Sequence, residues 1–199
     1  PAVKFANCLS FSFGSNSLTL FPDFVDATPI LQNLDLSFNE FYFSEVAAER
    51  RIVTAVMNKI PTTLRTLNLT QAFRGSIDPH VIADRLPELT SLTIAGGHFP
   101  DDNNPTSPFP SVAVKVTNYN VANNDFRTII KDTGNGRYSF EDLPDLVTLN
   151  LASNYYTSGT PNIISDDLVS VNMYNVGFTI PTMPNAVATL ESFQGSYMR

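Results

Sequence analysis

The stretch Leu146-Val-Thr-Leu149-Asn-Leu151-Ala-Ser-Asn154-Tyr-Tyr156 sets leucines at its first, fourth and sixth positions, asparagine at the ninth and an aromatic residue at the eleventh. Its centre, Leu149-Asn150-Leu151, alternates apolar and polar residues with the period of a strand. Three residues cannot make a sheet alone. Eight windows along the 199 residues fit the same spacing with varying fidelity. The alternation therefore belongs to a stack of short strands, one per repeat.

Two other windows match in full: Leu31-x-x-Leu34-x-Leu36-x-x-Asn39-x-Phe41 and Val116-x-x-Tyr119-x-Val121-x-x-Asn124-x-Phe126. The first window, Cys8-x-x-Phe11-x-Phe13-x-x-Asn16-x-Leu18, puts aromatic rings in two leucine slots. The third, Leu64-x-x-Leu67-x-Leu69, has Ala72 at the asparagine slot, with Phe73 filling the last apolar slot by a one-residue shift. Leu89-x-x-Leu92-x-Ile94 has Gly97 there, Leu168-x-x-Val171-x-Met173 has Val176, and the degenerate last window reads Val187-x-x-Leu190-x-Ser192-x-x-Gly195-x-Tyr197. Successive asparagine slots are 23, 33, 25, 27, 30, 22 and 19 residues apart.

Over nearly its whole length the chain resembles the leucine-rich-repeat family. The resemblance implies a single array over residues 1–199 of α/β class: a right-handed solenoid with a concave parallel β-sheet and a convex side of mixed helix, turn and extended segments. The handedness also follows from the preference of crossovers between parallel strands. In such a stack the leucines face inward and neighbouring repeats share one core. The turn asparagines Asn16, Asn39, Asn124 and Asn154 are expected to satisfy buried backbone groups of the adjoining loop. Repeats with Ala72, Gly97 or Val176 must satisfy that backbone differently. Phe41, Phe99, Phe126, Tyr156, Phe178 and Tyr197 share the last slot and are expected to form an aromatic spine.

The connections differ in character. Ser44 can cap a helix reaching Lys59, with Ala48, Ile52, Ala55 and Val56 as its apolar stripe. Asp78-Pro79 reads as the cap and first-turn proline of a shorter helix ending near Arg85. The proline-rich segment 99–110 is irregular, and Asp132-Thr-Gly-Asn-Gly136 is a tight turn. The last connections are short and extended.

Composition excludes several functions. A net charge of −7 without a basic cluster argues against nucleic acid. No apolar run is long enough to span a bilayer, so membrane insertion is not expected. One cysteine, Cys8, cannot form an internal disulfide, and its place in a leucine slot makes it an inert core thiol. Neither His80 nor His98 has a ligand partner nearby, and the acidic turns at Asp101-Asp102 and 132–136 do not match a calcium loop. No nucleophile elbow or placed pair of carboxylates appears, so no enzyme, cofactor or metal site is expected. Asn68-Leu69-Thr70 is a glycosylation sequon.

The informative surface lies between the leucines, where alternate side chains of each strand face outward. Inside each L-x-L stand Ser12, Asp35, Asn68, Thr93, Asn120, Asn150, Asn172 and Glu191. Two positions earlier stand Ser10, Asn33, Thr66, Ser91, Asn118, Thr148, Ser170 and Thr189. Both columns are polar and almost uncharged. Larger groups at Phe38, Gln71, Tyr174 and Phe193 are expected to flank them, as aromatic anchors do in protein interfaces. Resemblance to the family implies macromolecular recognition through this face, with a protein as partner and a glycan as the second choice. The alternative is a structural module of a larger surface or virion assembly, because solenoids need polar caps and neither end of the sequence supplies one. On either reading the chain belongs to a longer chain or complex, and low charge without disulfides suits an extracellular, cell-surface or virion setting.

Overall fold

A computed structural model describes residues 4–24, 27–42, 58–74, 85–97, 115–124, 143–154, 165–176 and 189–195, together with positions 82 and 163. Ten strands run in chain order through them: β1 (Ser10–Ser12), β2 (Asn33–Asp35), β3 (Phe41–Tyr42), β4 (Thr66–Asn68), β5 (Phe73–Arg74), β6 (Ser91–Thr93), β7 (Asn118–Asn120), β8 (Thr148–Asn150), β9 (Ser170–Asn172) and β10 (Ser192–Gln194). Eight form a single sheet in the order β1-β2-β4-β6-β7-β8-β9-β10, and β3 pairs with β5. Every pairing is parallel. The described fold is thus a parallel-strand solenoid in which each repeat contributes one strand to the eight-stranded sheet.

Its register follows from the hydrophobic pattern. The middle residues Phe11, Leu34, Leu67, Leu92, Tyr119, Leu149, Val171 and Phe193 lie opposite one another along the sheet. From Leu34 to Val171 this column is at most 2% exposed. A one-residue slip would turn a whole strand's apolar set to solvent, which is why such a pattern holds its register. The first-slot residues (Leu31, Leu64, Leu89, Val116, Leu146 and Leu168) and the third-slot residues (Leu36, Leu69, Ile94, Val121, Leu151 and Met173) are equally buried in the same cluster. Each such side chain contributes about 1.5–3 kcal/mol. No repeat could bury its own set without neighbours.

The last repeat departs from the sequence reading. Phe193 sits opposite Val171 and Gln194 opposite Asn172, so Leu190 opens the repeat and Phe193 takes its second slot. The expected register would have put Val187, Leu190 and Ser192 in the three inward slots; the observed one puts Leu190, Phe193 and Gly195 there. Glu191 therefore lies outside the central outward column, where Gln194 stands, and Ser192 replaces Thr189 in the other. The Thr189 hydroxyl donates to the carbonyls of Leu168 (2.9 Å) and Asp166 (3.1 Å). Thr63 makes the matching bond to Leu31 (2.8 Å) two sheet positions after β1, which identifies Thr189 as a pre-strand residue. Phe193 lies in register with the core column, yet on β10, the last strand of the sheet among the described residues, its side chain is exposed.

The aromatic spine is visible at its N-terminal end. The rings of Phe41 and Phe73 lie 5.7 Å apart and both are buried, so Phe73 does fill the shifted slot. Phe21 at 5.2 Å from Phe41, then Phe24, Phe13 and Phe11 extend the ring contacts toward β1. Phe21 and Phe24 lie outside the repeat spacing. The remaining spine positions, Phe99, Phe126, Tyr156, Phe178 and Tyr197, fall outside the described residues, as do residues 44–57 of the expected long helix and both acidic turns. Ile82 and Arg85, within the expected short helix, are the helical positions among the described residues.

Candidate functional site

The turn after each strand fixes what the outer face can present. The residue before each of the first seven asparagine slots has a left-handed backbone: Ser15, Phe38, Gln71, Gly96, Asn123, Ser153 and Asn175, with φ from 47° to 69°. Glycine, asparagine and, less readily, serine tolerate this conformation; a bulky residue such as phenylalanine adopts it only at a cost. At Gly96 space adds to conformation, because a Cβ there would stand 2.8 Å from Gln71 Cγ. This column of turn residues was hidden in the sequence, although the recurrence of Ser, Asn and Gly before the slot is its signal.

Behind the turn, the slot asparagines do as expected. Asn39 Nδ2 donates to the carbonyls of Leu36 (2.8 Å) and, one repeat earlier, Phe13 (2.9 Å). Asn124 Nδ2 joins Val121 (2.9 Å) to Ile94 (2.7 Å), and its Oδ1 accepts Gly97 N–H at 2.7 Å. Asn154 Nδ2 joins Leu151 (2.8 Å) to Val121 (3.0 Å). Asn16 in the first repeat reaches only its own turn, at Phe13 (2.8 Å) and Gly14 (3.1 Å). Without an asparagine, Ala72 uses its own N–H on Leu69 (3.1 Å), while Gly97 relies on Asn124 of the next repeat.

In front, the outward columns run Ser10, Asn33, Thr66, Ser91, Asn118, Thr148, Ser170 and Ser192, beside Ser12, Asp35, Asn68, Thr93, Asn120, Asn150, Asn172 and Gln194. All are exposed or half-buried, and Asp35 alone among them carries charge. The Asx residues have a local task that composition conceals. Each Oδ1 accepts the backbone N–H two residues on: Asp35 from Ser37 (3.0 Å), Asn68 from Thr70 (3.1 Å), Asn120 from Ala122 (3.1 Å), Asn150 from Ala152 (3.1 Å) and Asn172 from Tyr174 (3.0 Å). These Asx turns lead the chain into the left-handed residue. In the other column, Thr148 donates to Asn118 Oδ1, and Asn33 Nδ2 approaches Leu9 O at 3.5 Å.

Strands β6 to β10 close around an open groove of about 330 Å³. Thr93, Asn118, Asn120, Thr148, Asn150, Ser170 and Asn172, all expected as site residues, line it together with Ser192 and Gln194, which were not. Asn33, Asp35, Thr66, Asn68 and Ser91 continue the columns beyond the groove. Phe38 stands elsewhere: 51% exposed, it lines a wider groove of about 650 Å³ with the left-handed residues Ser15, Gln71 and Gly96. Tyr174 is 41% exposed at the turn beyond β9. The structure thus gathers the polar ladder at one place and sets the aromatic groups apart from it. Among the described residues no three potential metal ligands cluster, and no helix is long and apolar enough to cross a membrane. No protein-family model matches the chain, and no curated protein matches its sequence.

Proposed function

We propose that the chain is a non-catalytic recognition domain of leucine-rich-repeat type. In this reading the solenoid is right-handed, with its sheet concave and mixed helix, turn and extended segments behind. It binds a protein through the outward columns, with a glycan as the lesser option. The observation that carries the reading is the groove over β6 to β10, lined by ladder residues without a charged side chain. A row of neutral hydrogen-bonding groups can grip a surface and offers neither base nor nucleophile. Retention of proteins from the native source on the wild-type chain and on an Asn120→Arg/Asn150→Arg variant tests it. A protein held by the first and lost by the second, with circular dichroism unchanged, supports groove recognition. Equal retention overturns it.

One observation favours a second reading, a structural module of a larger surface or virion assembly. Phe193 continues the core column yet is 41% exposed on β10. A further parallel strand laid against β10 would bury it. A photo-cross-linking residue at Phe193 that couples to a neighbouring chain in the native assembly, while one at Ser170 does not, would favour the module over the recognition domain.

A further inference from the structure

The groove has a chemical polarity that its composition does not show. An asparagine amide offers one acceptor oxygen and an NH2 donor group. In Asn120, Asn150 and Asn172 the oxygen is committed to a backbone N–H. Only the oxygen can answer that N–H, so each amide's orientation is fixed by its neighbour. The NH2 groups make no hydrogen bond among the described residues. They come from β7, β8 and β9, consecutive strands about 4.8 Å apart, and all three residues line the groove. A file of donors therefore runs along it, with Thr93 at one end of the same column and Asn118, Thr148 and Ser170 in the column beside it.

Such a file selects acceptors, and the surroundings select among acceptors. No lining side chain is a cation, and the chain as a whole carries −7, so an anion would meet repulsion without a partner. The ring among the lining residues, Tyr119, is 1% exposed, which leaves a sugar no aromatic face to stack on. Backbone carbonyls of an extended chain are strong, neutral acceptors set at regular spacing. We propose that this groove holds an extended, uncharged polypeptide segment, whose backbone carbonyls accept from the side-chain amides of Asn120, Asn150 and Asn172. The proposal rests on the recognition reading above and names the chemistry of its ligand.

Asn→Asp substitution isolates the donor. Asp35 already occupies this column and accepts Ser37 N–H at 3.0 Å, so aspartate preserves the turn while replacing NH2 by an acceptor. Asn120→Asp/Asn172→Asp changes two strands that are not neighbours in the sheet, which limits repulsion between the new carboxylates. Ser170→Arg fills the groove without touching an Asx turn. The probe is a displayed library of random peptides about twelve residues long, selected on the wild-type chain in competition with Ser170→Arg. The expected peptides are poor in Asp, Glu, Lys and Arg, and bind Asn120→Asp/Asn172→Asp about tenfold or more weakly. Groove-dependent peptides that bind the Asp variant equally, or that are rich in acidic residues, overturn the proposal but leave groove recognition standing. Cellohexaose tested in parallel, if it alone binds with the same Asp sensitivity, assigns the groove to a neutral glycan and also overturns the polypeptide. If neither probe distinguishes Ser170→Arg from the wild type, groove recognition itself fails.

Discussion

Asn154 Nδ2 lies 3.0 Å from the carbonyl oxygen of Val121, one full repeat earlier, and 2.8 Å from that of Leu151 in its own repeat. The same Val121 oxygen accepts from Asn124 at 2.9 Å, so two buried asparagines meet on one carbonyl. Hydrogen bonds of this kind couple neighbouring repeats in addition to the hydrophobic core they share. Asn154→Ala removes donors from buried carbonyls and is expected to cost about 2–3 kcal/mol. Asn16→Ala, which touches only its own exposed turn, is expected to cost below about 1 kcal/mol. Urea denaturation of both variants checks the contrast; equal costs would remove the cross-repeat role.

Phe38 has φ of 53° in a column where Ser, Gly and Asn otherwise predominate. A left-handed backbone costs a bulky L-residue about 1–2 kcal/mol, and an asparagine less. Phe38→Asn is therefore expected to raise stability by up to about 1 kcal/mol, since the exposed ring gives little packing in return. Thermal unfolding measures it. A fall in stability would show that the ring packs more than its exposure indicates. The converse substitution, Gly96→Ala, meets both the positive φ and the 2.8 Å approach to Gln71 and should destabilise by about 1–2 kcal/mol.

What could be read from the residues divides by physical cause. The apolar slots from Leu31 to Met173 announced the strands because burial repeats with their spacing, and Asn39, Asn124 and Asn154 announced their role because few side chains can satisfy a buried carbonyl. The last repeat failed because Leu190 fits two slots equally well, and only the partner strand decides between them. The Asx turns were hidden for another reason. An outward asparagine looks the same in sequence whether its oxygen faces solvent or Ala152 N–H. Phe21 and Phe24 carry no repeat signal at all, and their ring contacts exist only once Phe41 and Phe11 are in place.

Position in the stack, not residue type, should set the cost of core changes. Phe193 and Val171 share one column, but Val171 is enclosed by β8 and β10 while Phe193 has a strand on one side among the described residues. Leu149→Ala, within the enclosed part, is expected to cost about 2–5 kcal/mol. Phe193→Ala, although it deletes a larger side chain, should cost less than that. Denaturant midpoints of the two variants check the ordering; the reverse order would mean that Phe193 is covered in solution.

The oxygen of Asn150 and its NH2 group are expected to separate cleanly under substitution. Asn150→Asp keeps an acceptor 3.1 Å from Ala152 N–H, as Asp35 does for Ser37, and should change stability by less than about 0.5 kcal/mol. Asn150→Leu, nearly the same size, leaves that N–H without an acceptor beside the buried Ala152 side chain and should cost about 1–3 kcal/mol. Hydrogen exchange gives the sharper readout. The Ala152 amide should keep its protection in the aspartate variant and lose it in the leucine variant, while the Leu151 amide, bonded to Asn172 O at 2.8 Å, stays protected in both. If leucine is as stable as aspartate, the column's asparagines are not there for the turn. Their conformation would then have to be explained by the ligand alone.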